Sequence, residues 1–196
     1  MTNKSKYILI VSIIMLSFFL LLTIFHYESI FDKENLYKQY YKLMIFWGKE
    51  STVNNGTIIQ PSVTISDING QLIEIAEIVR GSPKLIIKTS ALACDICLEE
   101  ELKHIKKHIN KIGINNIIII ASDYNARSII LLKKNIQIDL EIYRTQRIGI
   151  PFEEKNKNLF VFVVDDRLII QDFFLPEKTF PELSNNYYEI ISSKYW

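Results

Sequence analysis

The two cysteines of the chain, Cys94 and Cys97, are the residues best suited to chemistry, and they lie three positions apart. They follow Leu85–Thr89, a stretch that predicts a buried strand, and they open a segment with helical spacing of apolar residues. A thiol at a helix N-terminus is stabilised as a thiolate by unpaired amides and by the helix dipole. A second thiol one turn further along can close a disulfide with the first. The spacing therefore predicts reversible dithiol–disulfide chemistry at Cys94 and Cys97.

The composition excludes several other classes of protein. The chain has 196 residues, of which 48% are hydrophobic and 12% aromatic, enough for a compact core and too apolar for a disordered chain. With 23 basic and 22 acidic residues the net charge is +1, and nothing indicates a nucleic-acid partner. Two cysteines exclude a disulfide-dense scaffold and a four-cysteine zinc site.

His104 and His108 are four residues apart on the helix that Cys97 opens, which raises the question of a metal site. At ~1.5 Å per residue, Cys97 and His104 are about 10 Å apart along the axis, whereas zinc–ligand bonds are ~2.0–2.3 Å long. The sequence therefore predicts no metal site and no bound cofactor, and the histidines are interpreted as a solvated flank of the helix.

Tyr7–Phe25 is a run of nineteen residues without a charge. As a helix it would be about 28 Å long, close to the ~30 Å hydrocarbon core of a bilayer. A cleaved signal peptide is the alternative, but the run exceeds the usual ~7–15 apolar residues and no small-x-small site follows. Lys4 and Lys6 precede the run, so the N-terminus is expected in the cytoplasm. We expect residues 1–6 to be a cytoplasmic tail and residues 7–25 a single transmembrane anchor in the cytoplasmic (inner) membrane.

Residues 26–60 are predicted to form a juxtamembrane segment and a linker on the periplasmic, extracytoplasmic side. Glu28–Trp47 is aromatic and amphipathic, which suits either the headgroup region of the membrane or a stalk helix packed on its own domain. Gly48–Gly56 is polar and rich in turn residues, and it predicts the linker before a domain over residues 61–196.

The domain over residues 61–196 has the pattern of an α/β protein. Val63–Glu74 contains Asn-Gly between alternating segments and predicts a β-hairpin. The next predicted elements are a short helix over 75–80, strands over 85–89, 116–122 and 140–143, helices over 95–112 and 123–135, a hairpin over 159–173 and a last helix over 178–192. Continuous apolar strands alternating with helices imply a central mixed sheet covered on both faces.

This order, a strand, a CxxC, a long helix, a strand, a helix, a hairpin and a last helix, resembles the thioredoxin-like fold. With its extra N-terminal β-hairpin and its N-terminal transmembrane helix, the chain is similar to the membrane-anchored redoxin/TlpA/ResA-like group of thiol-disulfide oxidoreductases. The resemblance implies that Cys94 is the nucleophile that forms a mixed disulfide and that Cys97 resolves it. It also implies protein thiols or disulfides as substrates and an upstream redox partner.

The residues around the dithiol depart from that family. Ala93 stands where the family usually has Trp, and Asp95-Ile96 replaces Gly-Pro. Asp95, with Glu99–Glu101 behind it, places negative charge beside the thiolate and should raise its pKa. This favours a reducing or isomerising enzyme over a strong oxidant.

A second departure concerns the cis proline that the family has just before the strand facing the disulfide. Asn158 and Leu159 occupy that place here. Pro151 lies eight residues earlier and would serve only if the loop were unusually long.

Two related activities lack their residues in this chain. The peroxiredoxin pattern Pro-x-x-x-Thr-x-x-Cys is absent, because position 91 is Ala and position 87 is Ile. A copper-chaperone role needs a distant downstream histidine, and none follows His108.

The sequence thus predicts a membrane-anchored thiol–disulfide oxidoreductase. The alternative is a non-enzymatic anchored binding domain in which Cys94 and Cys97 form a structural disulfide.

Overall fold

The computed structural model of the chain describes residues 3–93, 95–155 and 158–196. Within these ranges the side chains of residues 3–11, 28, 29, 32, 95, 96, 126 and 155 are outside the description. The chain divides into two compact units, Met1–Phe46 and Trp47–Trp196. Helix α1, Asn3–Asn54, makes up the described part of the first unit, and its last turns belong to the second.

The first unit does not support the predicted transmembrane helix. Among the described residues, no helix combines the length and the apolar character needed to cross a membrane. The beginning of the predicted span, residues 7–11, lies in the stretch whose side chains are not described, as does most of the predicted tail, residues 1–6. The segment after it is helical, and large side chains such as Tyr27, Phe31 and Tyr37 are exposed there.

The second unit has the predicted order of elements. Its strands are β1 Thr64–Ser66, β2 Leu72–Glu74, β3 Lys84–Ser90, β4 Ile117–Ser122, β5 Glu141–Arg144, β6 Phe160–Val164 and β7 Ile170–Phe174. Its further helices are α2 Ile75–Val79, α3 Asp95–Ile112, α4 Ala126–Ile136, α5 Pro151–Lys155 and α6 Pro181–Tyr195. Of these elements only α5 was not predicted from the sequence.

The seven strands form one mixed sheet in the order β2-β1-β5-β4-β3-β6-β7. Strands β3, β4 and β5 are parallel, and the other pairs are antiparallel. Strand β3 is central: Leu85 is opposite Ile117 of β4 on one side and Val163 of β6 on the other. Because parallel strands end at the same edge, the C-terminal ends of β3 and β4 lie together where α3 begins.

The core lies on both faces of the sheet, because successive residues of β3 point to opposite sides. Leu85 and Ile87 face α3, and Ile86 faces the opposite cluster with Phe160 and Phe162. The apolar stripe predicted on α3 is confirmed: Leu98, Leu102, Ile105 and Ile112 are buried and Ile109 is partly buried.

The segment Gly48–Gly56, predicted as a linker, lies within the second unit, and helix α1 continues through Asn54. Asn54 is fully buried, and its Oδ1 accepts the Phe152 N–H at 3.0 Å. Asn55 Oδ1 accepts the Phe173 N–H at 2.8 Å. These side-chain amides, which read as solvated turn residues in the sequence, satisfy backbone donors of α5 and β7.

The turn between β6 and β7, inside the hairpin predicted over residues 159–173, is held by Asp165. Its Oδ1 accepts the N–H groups of Arg167 and Ile169 at 3.1 and 2.9 Å. Burial by itself would raise the pKa of Asp165, but the hydrogen bonds from Ile169 and Arg167 and the Arg167 charge hold it below the usual value.

Replacing Asn54 with alanine should destabilise the second unit, because the buried Phe152 N–H would lose its acceptor. We expect a loss of about 1–3 kcal/mol in the free energy of unfolding. Urea unfolding of the full-length chain measures it. The matched control is Asn110→Ala on the exposed face of α3, expected within about 0.5 kcal/mol of wild type. Equal effects of the two substitutions would contradict the role of Asn54 as the acceptor of the buried Phe152 N–H.

Candidate functional site

Of the two cysteines of the predicted site, the structure describes the side chain of Cys97. Cys94 lies outside the described residues. Cys97 is in the first turn of α3, which begins at Asp95 as predicted. Its side chain is partly buried against the cluster that contains Leu98 and Leu102. A partly shielded second thiol is what the predicted division of roles requires, and the greater exposure of Cys94 stays a prediction.

The turn that leads from β3 to Cys94 is held by backbone and side-chain hydrogen bonds. The Ala93 N–H donates to the Ser90 carbonyl at 2.8 Å, and the Ala91 N–H donates to the Ser122 carbonyl at 3.0 Å. Ser90 Oγ accepts the Leu92 N–H and donates to an Asp123 carboxylate oxygen at 2.9 Å. The segment directly before Cys94 is therefore anchored to two strands at the sheet edge.

The acidic residues behind the dithiol do not form one group, in contrast to the prediction. Glu99 is exposed, and Glu100 pairs with Lys103 at 2.6 Å. Glu101 is only 4% exposed, and its two oxygens accept the hydroxyls of Ser184 and Tyr188 at 2.6 and 2.7 Å. It ties α3 to α6 rather than adding surface charge near the thiols, because the helix turns it toward the core. The Asp95 side chain lies outside the described residues.

Burial raises the pKa of Glu101, and the hydrogen bonds from Ser184 and Tyr188 offset only part of that rise. The side chain therefore holds its proton at a higher pH than an exposed glutamate does. The two hydroxyl donors stabilise the ionised carboxylate more than the neutral acid, so protonation weakens the hydrogen bonds to α6.

The histidines of α3 are partly buried, so the interpretation as a solvated flank holds only in part. His108 lies against Tyr188, with ring centroids 6.4 Å apart. The His104 Nδ1 atom is buried without a hydrogen bond in the described part of the chain, and burial lowers the pKa of this side chain. Across the described ranges, no three His, Cys, Asp or Glu side chains converge as a metal site would need.

The loop before β6 contains Pro151 and Asn158, the two residues considered for the missing proline. Pro151 opens helix α5, a position that suits its fixed φ, and no peptide bond in the described ranges is cis. Asn158 lines a polar cavity of about 110 Å³, together with Ser90 and Ser122 from the ends of β3 and β4. The loop residue nearest the predicted proline position thus lies beside the strand that leads to the dithiol.

The same cavity contains an ion pair that the sequence interpretation missed. Lys88 of β3 lies 3.4 Å from Glu153 of α5, and the two side chains are only 4% and 6% exposed. The signal in the sequence was a single lysine inside a buried strand, because a buried charge requires a partner of opposite sign. The partner could not be chosen among the many acidic residues without the fold.

A second concavity, of about 630 Å³, runs between α3 and α4. Leu98, Leu102 and Leu132 line its apolar floor, and Lys103 and Lys106 are at its rim. Leu98 follows Cys97 directly, so the groove begins beside the second thiol of the predicted site.

Several solved structures are similar to this chain. The thioredoxin domain of a thiol-disulfide oxidoreductase from Bacteroides vulgatus has a TM-score of 0.52 at 13% identity, covering 72% of this chain and 98% of its own. A thiol:disulfide interchange protein from Bacteroides sp. has a TM-score of 0.52 at 15% identity, covering 71% and 88%. A peroxidoxin from Mycobacterium tuberculosis has a TM-score of 0.51 at 11% identity, covering 71% and 98%.

These similarities show the fold: the chain has a mixed α/β, thioredoxin-like architecture, as expected from the order of its elements. No protein-family model matches the sequence, and no curated relative does. At these identities, function has to be argued from the residues of the site.

Replacing Glu101 with glutamine should change how stability depends on pH. Because the pKa of Glu101 is higher in the folded than in the unfolded chain, its contribution is complete below the ordinary value of 4.5 and is lost as the pH rises through the folded pKa. The glutamine side chain is uncharged throughout, so the free energy of unfolding of Glu101→Gln relative to wild type should increase as the pH rises above the ordinary glutamate value of 4.5.

Urea unfolding at several pH values measures that difference. The control is Glu99→Gln, which removes a carboxylate from the exposed face of the same helix. A pH slope for Glu99→Gln as steep as that for Glu101→Gln would contradict the assignment to the buried carboxyl group.

Proposed function

We propose that this chain is a thiol–disulfide oxidoreductase that acts on protein thiols or disulfides. The observation that carries the proposal is the Cys94-x-x-Cys97 motif of the sequence, whose Cys97 lies in the first turn of α3 in a thioredoxin-like fold. The hydrogen-bonded turn before Cys94 and the partial burial of Cys97 support it. Both features suit an outer thiolate that attacks and an inner thiol that resolves.

The proposed reaction moves two electrons in two exchange steps. The Cys94 thiolate attacks one sulfur of a substrate disulfide, forming a mixed disulfide and releasing the other substrate sulfur as a thiolate, which takes up a proton. The Cys97 sulfur, after losing its proton, attacks Cys94 Sγ and releases the second substrate thiolate. The chain is left with a Cys94–Cys97 disulfide, so a dithiol donor must reduce it before the next turnover.

The direction we propose is reduction or isomerisation. Asp95 follows Cys94 directly in the sequence, and Glu99 is exposed one turn further along α3. Negative charge near a thiolate makes it less stable, which weakens the oxidising power of the corresponding disulfide. Glu101 does not contribute to this argument, because it is buried against α6.

A second candidate function is a binding domain whose Cys94–Cys97 disulfide is structural. It is favoured by Asn158, which stands near the predicted position of a proline that would face the disulfide, and by the Asp95-Ile96 dipeptide. A static bridge needs neither an exposed thiolate nor a docking loop. Trapping of substrates separates the two candidates.

Cys97→Ser should accumulate mixed disulfides with partner proteins, because Cys94 still attacks and nothing releases the product. Cys94→Ser should trap almost nothing, since its attacking thiol is gone. Non-reducing gels of cells that carry each variant measure this, with the double variant as the blank. If neither single variant traps a partner while both lower the melting temperature, the bridge is structural and the enzyme proposal fails.

We also propose that residues 7–25 anchor the chain in the cytoplasmic membrane with the dithiol domain outside. The support is the uncharged run of the sequence after Lys4 and Lys6. Leu16→Arg with Leu20→Arg should release the chain, because each arginine costs about 2.5–3.5 kcal/mol within a bilayer. Leu16→Phe is the matched control that keeps the run apolar.

Cell fractionation and protease treatment of intact spheroplasts test the anchor and its orientation. Wild type and Leu16→Phe should sediment with membranes and lose the dithiol domain to protease. A wild-type chain in the soluble fraction would refute the anchor, and full protection of the domain in sealed cells would refute the orientation.

A further inference from the structure

The groove between α3 and α4 has the size and the lining of a site for a small apolar ligand. Its volume of about 630 Å³ lies within the range of ~300–1,000 Å³ that is usual for such sites. Its floor consists of leucine and isoleucine side chains, namely Leu98, Leu102, Leu131, Leu132, Ile136 and Ile138. Leu131 is 51% exposed, so part of this apolar surface is open to solvent. An open apolar concavity indicates a surface that a ligand can cover.

The two helices run in the same direction, and this defines the two ends of the groove. Helix α3 leads from β3 to the parallel β4, and α4 leads from β4 to the parallel β5. The N-terminal end therefore contains Leu98, early in α3, and Tyr124, just before α4. The C-terminal end contains Lys106 and Ile138. At ~1.5 Å per residue, Leu98 and Lys106 are about 12 Å apart along the axis of α3.

The charged side chains of the groove are separated by sign along its length. Glu99 lies at the N-terminal end, Lys103 follows near the middle, and Lys106 lies at the C-terminal end, all three of them exposed. Lys103 is paired with Glu100 at 2.6 Å. Lys106 forms no ion pair with another described residue. One end of the groove therefore repels an anion, and the other end attracts it.

This distribution suits a molecule with one anionic head and one apolar chain. A carboxylate at the C-terminal end would meet the Lys106 ammonium group and the side-chain amides of Asn135 and Gln137, which line the same end. The chain would then lie along the leucine and isoleucine floor toward the start of both helices. The opposite orientation would place the carboxylate beside Glu99 and is therefore disfavoured.

We propose that the groove between α3 and α4 binds a free fatty acid, with its carboxylate at Lys106 and its chain directed toward Tyr124. The proposal adds a ligand site to the domain and does not depend on the oxidoreductase function. The head is recognised by charge and the chain by burial of apolar surface. Affinity should therefore depend on both the sign of the head and the length of the chain.

A photoreactive fatty acid tests this site in the full-length chain. The probe is dodecanoate with a diazirine near the end of its chain, and mass spectrometry identifies the labelled peptides. Labelling should occur at the N-terminal end of the groove, in the peptides that contain Leu98 and Tyr124. This readout distinguishes the groove from any labelling of the apolar run Tyr7–Phe25.

Competition by unlabelled molecules measures the two preferences. The concentration that halves the labelling should fall about two- to fourfold for each methylene added between hexanoate and decanoate, because each methylene covers more of the floor. Dodecyltrimethylammonium has the same chain as dodecanoate and a cationic head. It should need about a tenfold higher concentration than dodecanoate, since its head meets a lysine in place of a carboxylate.

Paired variants separate side chains of the groove from their neighbours. Leu131→Asn should raise the halving concentration of dodecanoate about tenfold, because it removes apolar surface from the groove. Its control is Ile130→Asn, since Ile130 is 61% exposed on α4 and is not part of the groove lining. Lys106→Gln should raise the concentration about threefold. Lys107→Gln, exposed beside it and outside the groove, should leave it unchanged.

Each other result overturns the proposal or part of what surrounds it. Labelling confined to Tyr7–Phe25 refutes the site, and so does competition that is independent of head charge and chain length. Equal effects of Leu131→Asn and Ile130→Asn also refute it, because binding would then be unspecific adsorption to α4. Labelling that falls as the protein concentration rises would show that a second copy fills the groove. Specific labelling of a chain whose cysteine variants trap no partner refutes the proposed enzyme function alone.

Discussion

The burial of strand β3 on both faces and both edges is the constraint on which the rest of this domain depends. Its backbone pairs with β4 on one side and β6 on the other, so each side chain after the partly exposed Lys84 must be matched to an interior environment. Five of its seven positions satisfy this with Leu85, Ile86, Ile87, Thr89 and Ser90, all buried. Lys88 is charged, and it is compensated by Glu153 of helix α5, which is far from it along the chain. The position of the loop before β6 follows from this requirement.

The same strand leads to the turn that precedes the dithiol in the sequence. A parallel neighbour places the ends of β3 and β4 at one edge, and the Ala91 N–H bonds to Ser122 across that edge. The helix that follows is fixed on its inner side by the Leu98–Ile112 stripe and at Glu101 by hydroxyl groups from α6. Its first turn is therefore held from two directions. A rigid first turn keeps its unpaired N–H groups in place, and these are the groups that stabilise a thiolate at a helix start.

Most of the elements could be predicted from the local sequence pattern, because each has a strong periodic signal. The predicted bounds of α3 agree with the observed Asp95–Ile112, and the Asn-Gly turn located the first hairpin. The linker prediction differed because polar residues such as Asn54 look the same in sequence whether they bond to water or to a buried amide. Glu101 was grouped with its neighbours for a similar reason, since adjacent positions of a helix can face surface and core in turn. Lys88 and Glu153 lie far apart along the chain, so no local pattern could join the two residues.

The fold by itself does not decide which chemistry the chain performs. An oxidoreductase domain and a peroxidoxin resemble this chain about equally well, with TM-scores of 0.52 and 0.51. The architecture therefore supplies a sheet edge and a helix start, and the side chains placed there decide the chemistry. Here they are a CxxC dithiol without the peroxiredoxin threonine and a loop before β6 whose Pro151 opens helix α5. The ion pair of Lys88 with Glu153, and the three N–H groups that Glu153 accepts, join that loop to strand β3, so its position depends on side-chain charge.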